Sequence, residues 1–553
     1  MHISRFTRII NTSLRQPHLV RSFAIQHRAR RFVPTFDPYS YSRGRWLDRD
    51  EQRQKARRRE FNFDALLDVA VKCSVGARQV VACEKREGGF NRVFVIEFDN
   101  GAKVVAKVPM QYAGPTALTT MSEVATLRYV KDKTSVPVPQ ILAWSSKSES
   151  GSVGTEYIIM EHMSGVALKD NWSQMTELQQ IQVIESIGIL VKELCALNFT
   201  AYGSLYLNTA AEKPSEAHAI DDEYCIGPHC GRQFWGYNDD LATQVAIPLG
   251  CQGPWQALST LFADLTSISE VTVQQRGSSS SSSSSQEEKV VVEDHLRLLE
   301  TSRKMLEVVG NTTTFQEEFC SPALLHPDLN ARNIFVDPDD PTKILGIIDW
   351  QSAAIEPAFV HAVDPPDFAS EPVLDKTLDA DALGDESSHE IQTHAQRCKK
   401  TWGVMASICP KLGKTSTFNP NLCRYLAGVI SGCSDDATVL RSLLTNTSHE
   451  WSELDVPEDI QCPYQPTPSE TKSLNIQLDH QESTQRLRAY LSRLLRCETD
   501  GWIEEEKWNE DLISVYREQY AGFVSACIAS REGDESEADA RKNAEKLWPF
   551  DLR

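Results

Sequence analysis

Residues 324–337, LLHPDLNARNIFVD, followed after six residues by ILGIIDW at 344–350, decide how this chain is read. Ile334, Phe335 and Val336, then Ile347 and Ile348, read as two buried strands around a short Asp/Pro turn at 337–341. A solvated hairpin with incidental acids would not concentrate its apolar residues in that way. Asp328 precedes the first strand on a loop, where a carboxylate can orient and deprotonate an acceptor hydroxyl. Asn333, five residues later, and Asp349, after the second strand, can hold the magnesium ions that bridge nucleotide phosphates. Three oxygen-bearing side chains at strand ends form a preformed site for a hard cation. This is the pattern that phosphoryl transfer requires.

Working outward, residues 79–84, 93–98 and 103–108 read as three short strands, with the tight-turn signal Asp99-Asn100-Gly101 between the last two. Alternation puts Val105 and Lys107 on one strand face and Val104, Ala106 and Val108 on the other. A helix is expected over 121–130, opened by a Thr120/Glu123 capping box. A lysine on a strand is usually just solvated, but one followed by a glutamate on the next helix can pair with it and reach the α- and β-phosphates. Lys107 and Glu123 have that order, and Val105 would line the adenine slot. Gly88 and Gly89, in EGGFNR at 87–92, could cover the phosphates, although the full glycine-loop pattern is missing. Further strands at 141–144 and 157–160 lead to Glu161, His162 and Met163, which fit a connection between lobes whose backbone amides meet adenine. Loop, lysine, helix glutamate, connection, Asp-x4-Asn and Asp follow one another in the order that a nucleotide site needs.

At 553 residues the chain is too long for a single core. Its net charge of −20 argues against a nucleic-acid-binding body, and no apolar run reaches the ~20 residues needed to span a bilayer. Fourteen cysteines are scattered with no CxxC pair. Cys225, His229 and Cys230 come nearest to a metal cluster, but a fourth zinc ligand at proper spacing is missing.

Charge is unevenly spread. Residues 1–35 hold seven arginines and no acid, with Ile3, Phe6, Ile10 and Leu14 at helical spacing. That reads as a mitochondrial import signal cut after Phe23, recognised by the import machinery, with a basic arm for nucleic acid or anionic lipid as the competing reading. Residues 36–60 are expected to be a polar extension lying on the folded body. The serine run 278–285 is expected to sit in a disordered insertion at about 274–290. Helices are expected at 181–197, 485–495 and 506–527, the last with a stripe of Trp508, Leu512, Val515, Tyr516, Tyr520 and Phe523 that suits core. Residues 234–237 and 253–255 are candidate walls of an acceptor pocket, or equally ordinary aromatic core.

The segments HPDLNARN, GIIDW, VVAK and SEVATLRYV resemble the aminoglycoside phosphotransferase family, over roughly 80–366. More narrowly, GRWL, EGGFNRVF, EYIIMEHMSG, YGSLY, CIGP, GPW and DGW look like the fungal altered-inheritance-of-mitochondria group. The resemblance implies an α+β, two-lobed, protein-kinase-like fold: a small antiparallel N-lobe over 61–163 and a large, mainly helical C-lobe over 164–370, continued by helices over 371–553. It implies mitochondrial residence, with the matrix as the expected compartment. For the broad family it implies ATP and Mg2+ as cofactors and a small-molecule hydroxyl as acceptor. Carried over by position, Asp328 resembles the catalytic base, Asn333 and Asp349 the magnesium ligands, Lys107 the phosphate-contacting lysine and Glu123 its partner. His326 is expected to brace the loop, since Asp328 is the nearer base. Arg332 departs from the small residue common in antibiotic kinases, and DLNARN echoes tyrosine kinases. Against a protein kinase, Trp350-Gln351 replaces Phe-Gly and no Ala-Pro-Glu segment follows. A non-catalytic nucleotide-binding scaffold is the main alternative.

Overall fold

The structure, a computed structural model, describes residues 32–148, 151–209, 213–237, 244–279, 286–312, 320–370, 385–432, 436–531 and 536–550. The expected import signal and its cut after Phe23 therefore lie outside the described residues.

A five-stranded antiparallel sheet forms the smaller lobe. Its strands are β2 (Val80–Glu87), β3 (Asn91–Phe98), β4 (Lys103–Pro109), β5 (Ile141–Ser145) and β6 (Tyr157–Glu161), in the order β2-β3-β4-β6-β5. They follow β1 (Gly44–Trp46), α1 (Asp50–Arg57) and α2 (Phe63–Cys73). The period-2 pattern sorts the sheet's two faces. Phe94, Ile96, Val104, Ala106, Val108 and Ile159 pack with Phe63, Leu66, Leu67 and Ala70 of α2. Each of the Val, Leu, Ile and Phe side chains contributes about 1.5–3 kcal/mol when fully buried. On the opposite face Val105, Ile158 and Met160 pack against the larger lobe and against α3 (Thr116–Lys133).

α3 begins earlier than the sequence suggested. Gly114, at φ +123°, and the cap residue Pro115 start it, and Thr119 N–H donates to Pro115 O across 2.9 Å. Thr120 thus lies inside the helix, and the expected Thr120/Glu123 capping box does not form. Glu123 is freed to point elsewhere.

The larger lobe begins with β7 (Val166–Ala167), α4 (Leu168–Asn171) and α5 (Glu177–Cys195). Strands β8 (Ser204–Leu207), β9 (His218–Ala219) and β10 (Tyr224–Gly227) form one small sheet. Helices α6 (Leu258–Ser279) and α7 (Gln286–Gly310) come next. These helices extend into the stretch expected to be a disordered insertion, leaving only 280–285 outside the described residues. The hairpin read first from the sequence is β12 (Ile334–Val336) paired with β13 (Ile344–Ile347), with β7 on the other side of β12; β11 (Pro322–Leu324) and β14 (Ile355–Pro357) pair beside it. Helices α8 (Asp385–Ser407), α9 (Pro420–Ile430) and α10 (Ala437–His449) complete this lobe. Its two apolar clusters include Trp350 and Phe359, both fully buried.

A further apolar cluster joins α11 (Pro468–Leu495), β15 (Trp502–Glu504), α12 (Glu510–Ala529) and the residues Trp548 and Phe550 that follow α13 (Glu537–Leu547). Trp508, Leu512, Tyr516, Tyr520 and Phe523 of the aromatic stripe lie in it, whereas Val515 is exposed. β1 pairs antiparallel with β15, and Leu47 is buried in the same cluster. The extension at 36–60 is therefore a structural strap between the sheet lobe and the last helices, with Tyr41 and Trp46 also buried.

Candidate functional site

The site lies where β4, α3 and the β12–β13 hairpin converge. Strand alternation turns Lys107 away from the α2-packed core, and the ammonium is surrounded by carboxylates from both lobes. Nζ lies 2.7 Å from Glu123 Oε1 and 2.7 Å from Asp349 Oδ1. Burial pulls the Lys107 ammonium toward neutrality, but Asp349 and Glu123 outweigh it, and its pKa ends above the ordinary lysine value. The same ammonium holds the Asp349 carboxyl below its ordinary range. Glu123 is raised by burial, which Lys107 only partly opposes. Asp349 occupies the left-handed region at φ +64°, a conformation that aspartate tolerates better than most residues. Its side chain is 43 % exposed, so this corner of the site opens to solvent.

The loop before β12 is fixed by side chains bonding to backbone. His326 Nδ1 accepts from Asp328 N–H at 3.1 Å, so Nε2 carries the proton and donates to Ile348 O at 2.9 Å. Burial, largest among the causes, holds this imidazole below its ordinary pKa. His326 also meets the fully buried Trp350 edge to face, with ring centroids 4.8 Å apart. Asn333 Nδ2 donates to Asp328 O at 2.8 Å and to Asp328 Oδ2 at 2.9 Å. That orientation commits the Asn333 amide hydrogens and leaves Oδ1 as a cation donor. Asn333 Oδ1 and the Asp349 carboxylate are hard-oxygen ligands of the kind that bind magnesium together with substrate phosphates, so the residues present fit that ion.

Three features had little or no sequence signal. Arg332 Nη2 lies 2.5 Å from Asp328 Oδ2, and Asn330 also donates to that carboxylate. Arg332 was visible only as a departure from the family pattern. Asp367 accepts from Ala331 N–H at 2.8 Å and clamps the loop from 36 residues away. The Asn91 amide donates to Gln351, joining the base of the glycine turn to the segment after Asp349.

The other candidates are placed as follows. Gly88 and Gly89 form the turn between β2 and β3, closed by Gly88 N–H donating to Asn91 O at 3.0 Å. Val105 is partly buried on the face shared with Lys107. Glu161 ends β6, and its amide donates to Gln140 O at 2.9 Å, which leaves His162 and Met163 as the adenine-facing candidates. Met163 lies over Gly346 of β13, where any Cβ would meet its side chain.

On the far side of Asp328 a cavity of about 420 Å³ is lined by His326, Asp328, Glu356, His361, Asp364 and Trp402, among others. His229 Nε2 lies 3.2 Å from Glu356 Oε1, and His361 Nε2 lies 3.7 Å from Glu356 Oε2. Burial alone would raise the Glu356 carboxyl, but the two histidines bring it below its ordinary value. In sequence the aromatic segments at 234–237 and 253–255 are open to two readings, wall or core. Phe234 and Trp255 are buried in the C-lobe core and do not line this cavity. Nor do Cys225, His229 and Cys230 converge: Cys225 donates to backbone carbonyls and Cys230 meets Ser204. Among the described residues no group of three or more His, Cys, Asp or Glu side chains could hold a metal ion.

Comparison with known proteins agrees with the sequence resemblance. A subtelomeric hrmA-associated cluster protein of Aspergillus fumigatus is 30% identical over 306 residues, covering 50% of this chain and 58% of that protein. Altered inheritance of mitochondria protein 9 of Candida albicans, named as mitochondrial, is 23% identical over 409 residues, 64% of each chain. The chain resembles the fungal altered-inheritance-of-mitochondria proteins. It spans about 58% to 64% of the length of these curated relatives. No family model matches. Among solved structures, an aminoglycoside phosphotransferase in ternary complex with AMP-PNP and hygromycin B is 13% identical, with a TM-score of 0.32 over 67% of this chain and 100% of that one. The two-lobed α+β arrangement stands on the coordinates described above. Among the described residues no helix is long and apolar enough to cross a membrane.

Proposed function

We propose that this chain is a mitochondrial, ATP-dependent phosphotransferase that moves the γ-phosphoryl group to a hydroxyl of a small molecule. The observation that carries the proposal is the contact of Lys107 from the sheet lobe with Asp349 from the helical lobe, 2.7 Å apart beside Asn333 and Asp328. MgATP would supply the transferable group and the charge that stabilises its transfer. Lys107, held by Glu123, would meet the phosphates of the nucleotide. Asn333 Oδ1 and Asp349 would hold the metal. Asp328 faces the cavity of about 420 Å³, where it orients the acceptor hydroxyl and takes its proton. His326 keeps Asp328 in place through the backbone. Residues 1–35 would direct import, and the matrix is the compartment proposed. Most of the rate would come from positioning and charge stabilisation.

A second reading, a nucleotide-binding scaffold without transfer, draws support from Asp328, whose carboxylate already accepts from Arg332, Asn330 and Asn333. Incubation with magnesium and labelled ATP, with and without a mitochondrial metabolite extract, separates the readings. Label in a small molecule supports the phosphotransferase. Label in protein supports a protein kinase. Nucleotide binding with no transfer supports the scaffold.

A further inference from the structure

Gly88 and Gly89 give the turn above the site the widest backbone freedom of any dipeptide, so its grip on phosphates depends on what holds its base. The residues flanking the turn are paired: Glu87 of β2 stands opposite Arg92 of β3. Both are buried, and Arg92 Nε donates to Glu87 Oε1 at 3.0 Å. Glu87 Oε1 also pairs with Lys85 Nζ at 3.4 Å, and further bonds of the pair run to the strap. Arg92 donates to Pro38 O at 3.1 Å, Tyr39 O at 2.8 Å and Arg57 O at 3.1 Å. Glu87 Oε2 accepts from Ser42 N–H at 2.8 Å, and Lys85 donates to the carbonyls of Asp37 and Ser40 at 2.9 Å each.

The strap is itself anchored to the C-terminal helices. β1 runs along β15, Leu47 N–H donates to Gly501 O at 3.0 Å, and Trp46 Nε1 donates to Asp500 at 3.0 Å. Gly44 must be glycine there, since a Cβ would overlap the Ile503 carbonyl and the Trp502 ring. One residue spans both attachments. The Arg43 carbonyl accepts from Glu505 N–H at 3.0 Å, its guanidinium lies 5.2 Å from the Trp502 ring centroid, and Nη1 donates to Glu87 O at 3.1 Å, immediately before Gly88.

We infer that Arg43, acting through Glu87, is a positioning residue by which the C-terminal helical unit sets the glycine turn on the triphosphate. This rests on the reading of the site as a MgATP site. Arg43 is exposed, so its loss leaves the apolar cores untouched. A turn that has lost its anchor grips phosphates less well but leaves the adenine slot alone.

The test measures MgATP and adenosine affinity by calorimetry, and melting temperature, for the full chain and for Arg43→Ala, Arg43→Lys and the distant charge control Arg486→Ala. We expect Arg43→Ala to weaken MgATP by about fivefold, the worth of about one hydrogen bond. Adenosine affinity and melting temperature should hold, Arg43→Lys should recover part of the loss, and Arg486→Ala should match the unaltered chain. Unchanged MgATP affinity in Arg43→Ala, or an equal loss for adenosine, overturns the inference. Failure of the unaltered chain to bind MgATP overturns the underlying site reading instead.

Discussion

Lys107 Nζ lies 2.7 Å from Asp349 Oδ1, although 242 residues separate the two in sequence. The contact makes one ammonium the meeting point of the sheet lobe and the β12–β13 hairpin, with Glu123 as its second partner.

Removing Lys107 alone leaves Glu123 buried without a counter-charge. Lys107→Met should destabilise the chain by about 3–5 kcal/mol, whereas Lys107→Met with Glu123→Leu should cost clearly less. Urea unfolding followed by circular dichroism measures both, and equal losses would show that Glu123 does not need the lysine.

The two aspartates should separate in their effects. Asp349→Ala should abolish magnesium-dependent turnover, because the metal loses its carboxylate. Asp328→Asn should lower turnover by about 10²- to 10⁴-fold, the usual worth of a general base, with MgATP affinity retained. ADP-release kinetics in the metabolite extract and calorimetry on the same preparations decide this; Asp349→Ala turning over at the normal rate would remove it from the metal site.

Acid should act on the loop through His326. Its folded pKa is depressed by burial, so its contribution is fully present above the unfolded value of about 6.5 and is lost as pH falls through the folded value. His361, also depressed by burial, adds to the same trend. Melting temperature should fall between about pH 7 and pH 5, and less steeply in His326→Asn. Asp349 behaves likewise at lower pH: its contribution is fully present above the ordinary carboxylate value and is lost as pH falls from there through its lowered value.

Gly346→Ala should push Met163 off β13. Overpacking there should cost about 1–3 kcal/mol. It should weaken adenosine and MgATP together, unlike Arg43→Ala. Adenosine affinity unchanged by Gly346→Ala would place adenine elsewhere.

Much of this arrangement was legible in local pattern. Period-2 alternation around Lys107 gave the strand and the side that the lysine faces, and the apolar triplet Ile334, Phe335 and Val336 gave the hairpin. The Thr120/Glu123 capping box misled because its residues carry two meanings. The same threonine and glutamate spacing occurs inside a helix started by Gly114 and Pro115, with Glu123 held for Lys107. Phe234 and Trp255 stayed open in the sequence, because aromatic residues suit a pocket wall and a core equally well; packing makes these two core.

By itself the sequence determined the order of the chemical groups and the faces of the strands that carry them, because alternation and turn chemistry act over a few neighbouring residues. Only the tertiary structure decided that Arg332 and Asn330 would occupy the Asp328 carboxylate, that Asp367 would clamp its loop and that Arg43 would tie β15 to Glu87. Those contacts join residues whose spacing carries no periodic signal. Burial and hydrogen-bond satisfaction select them after the chain has packed.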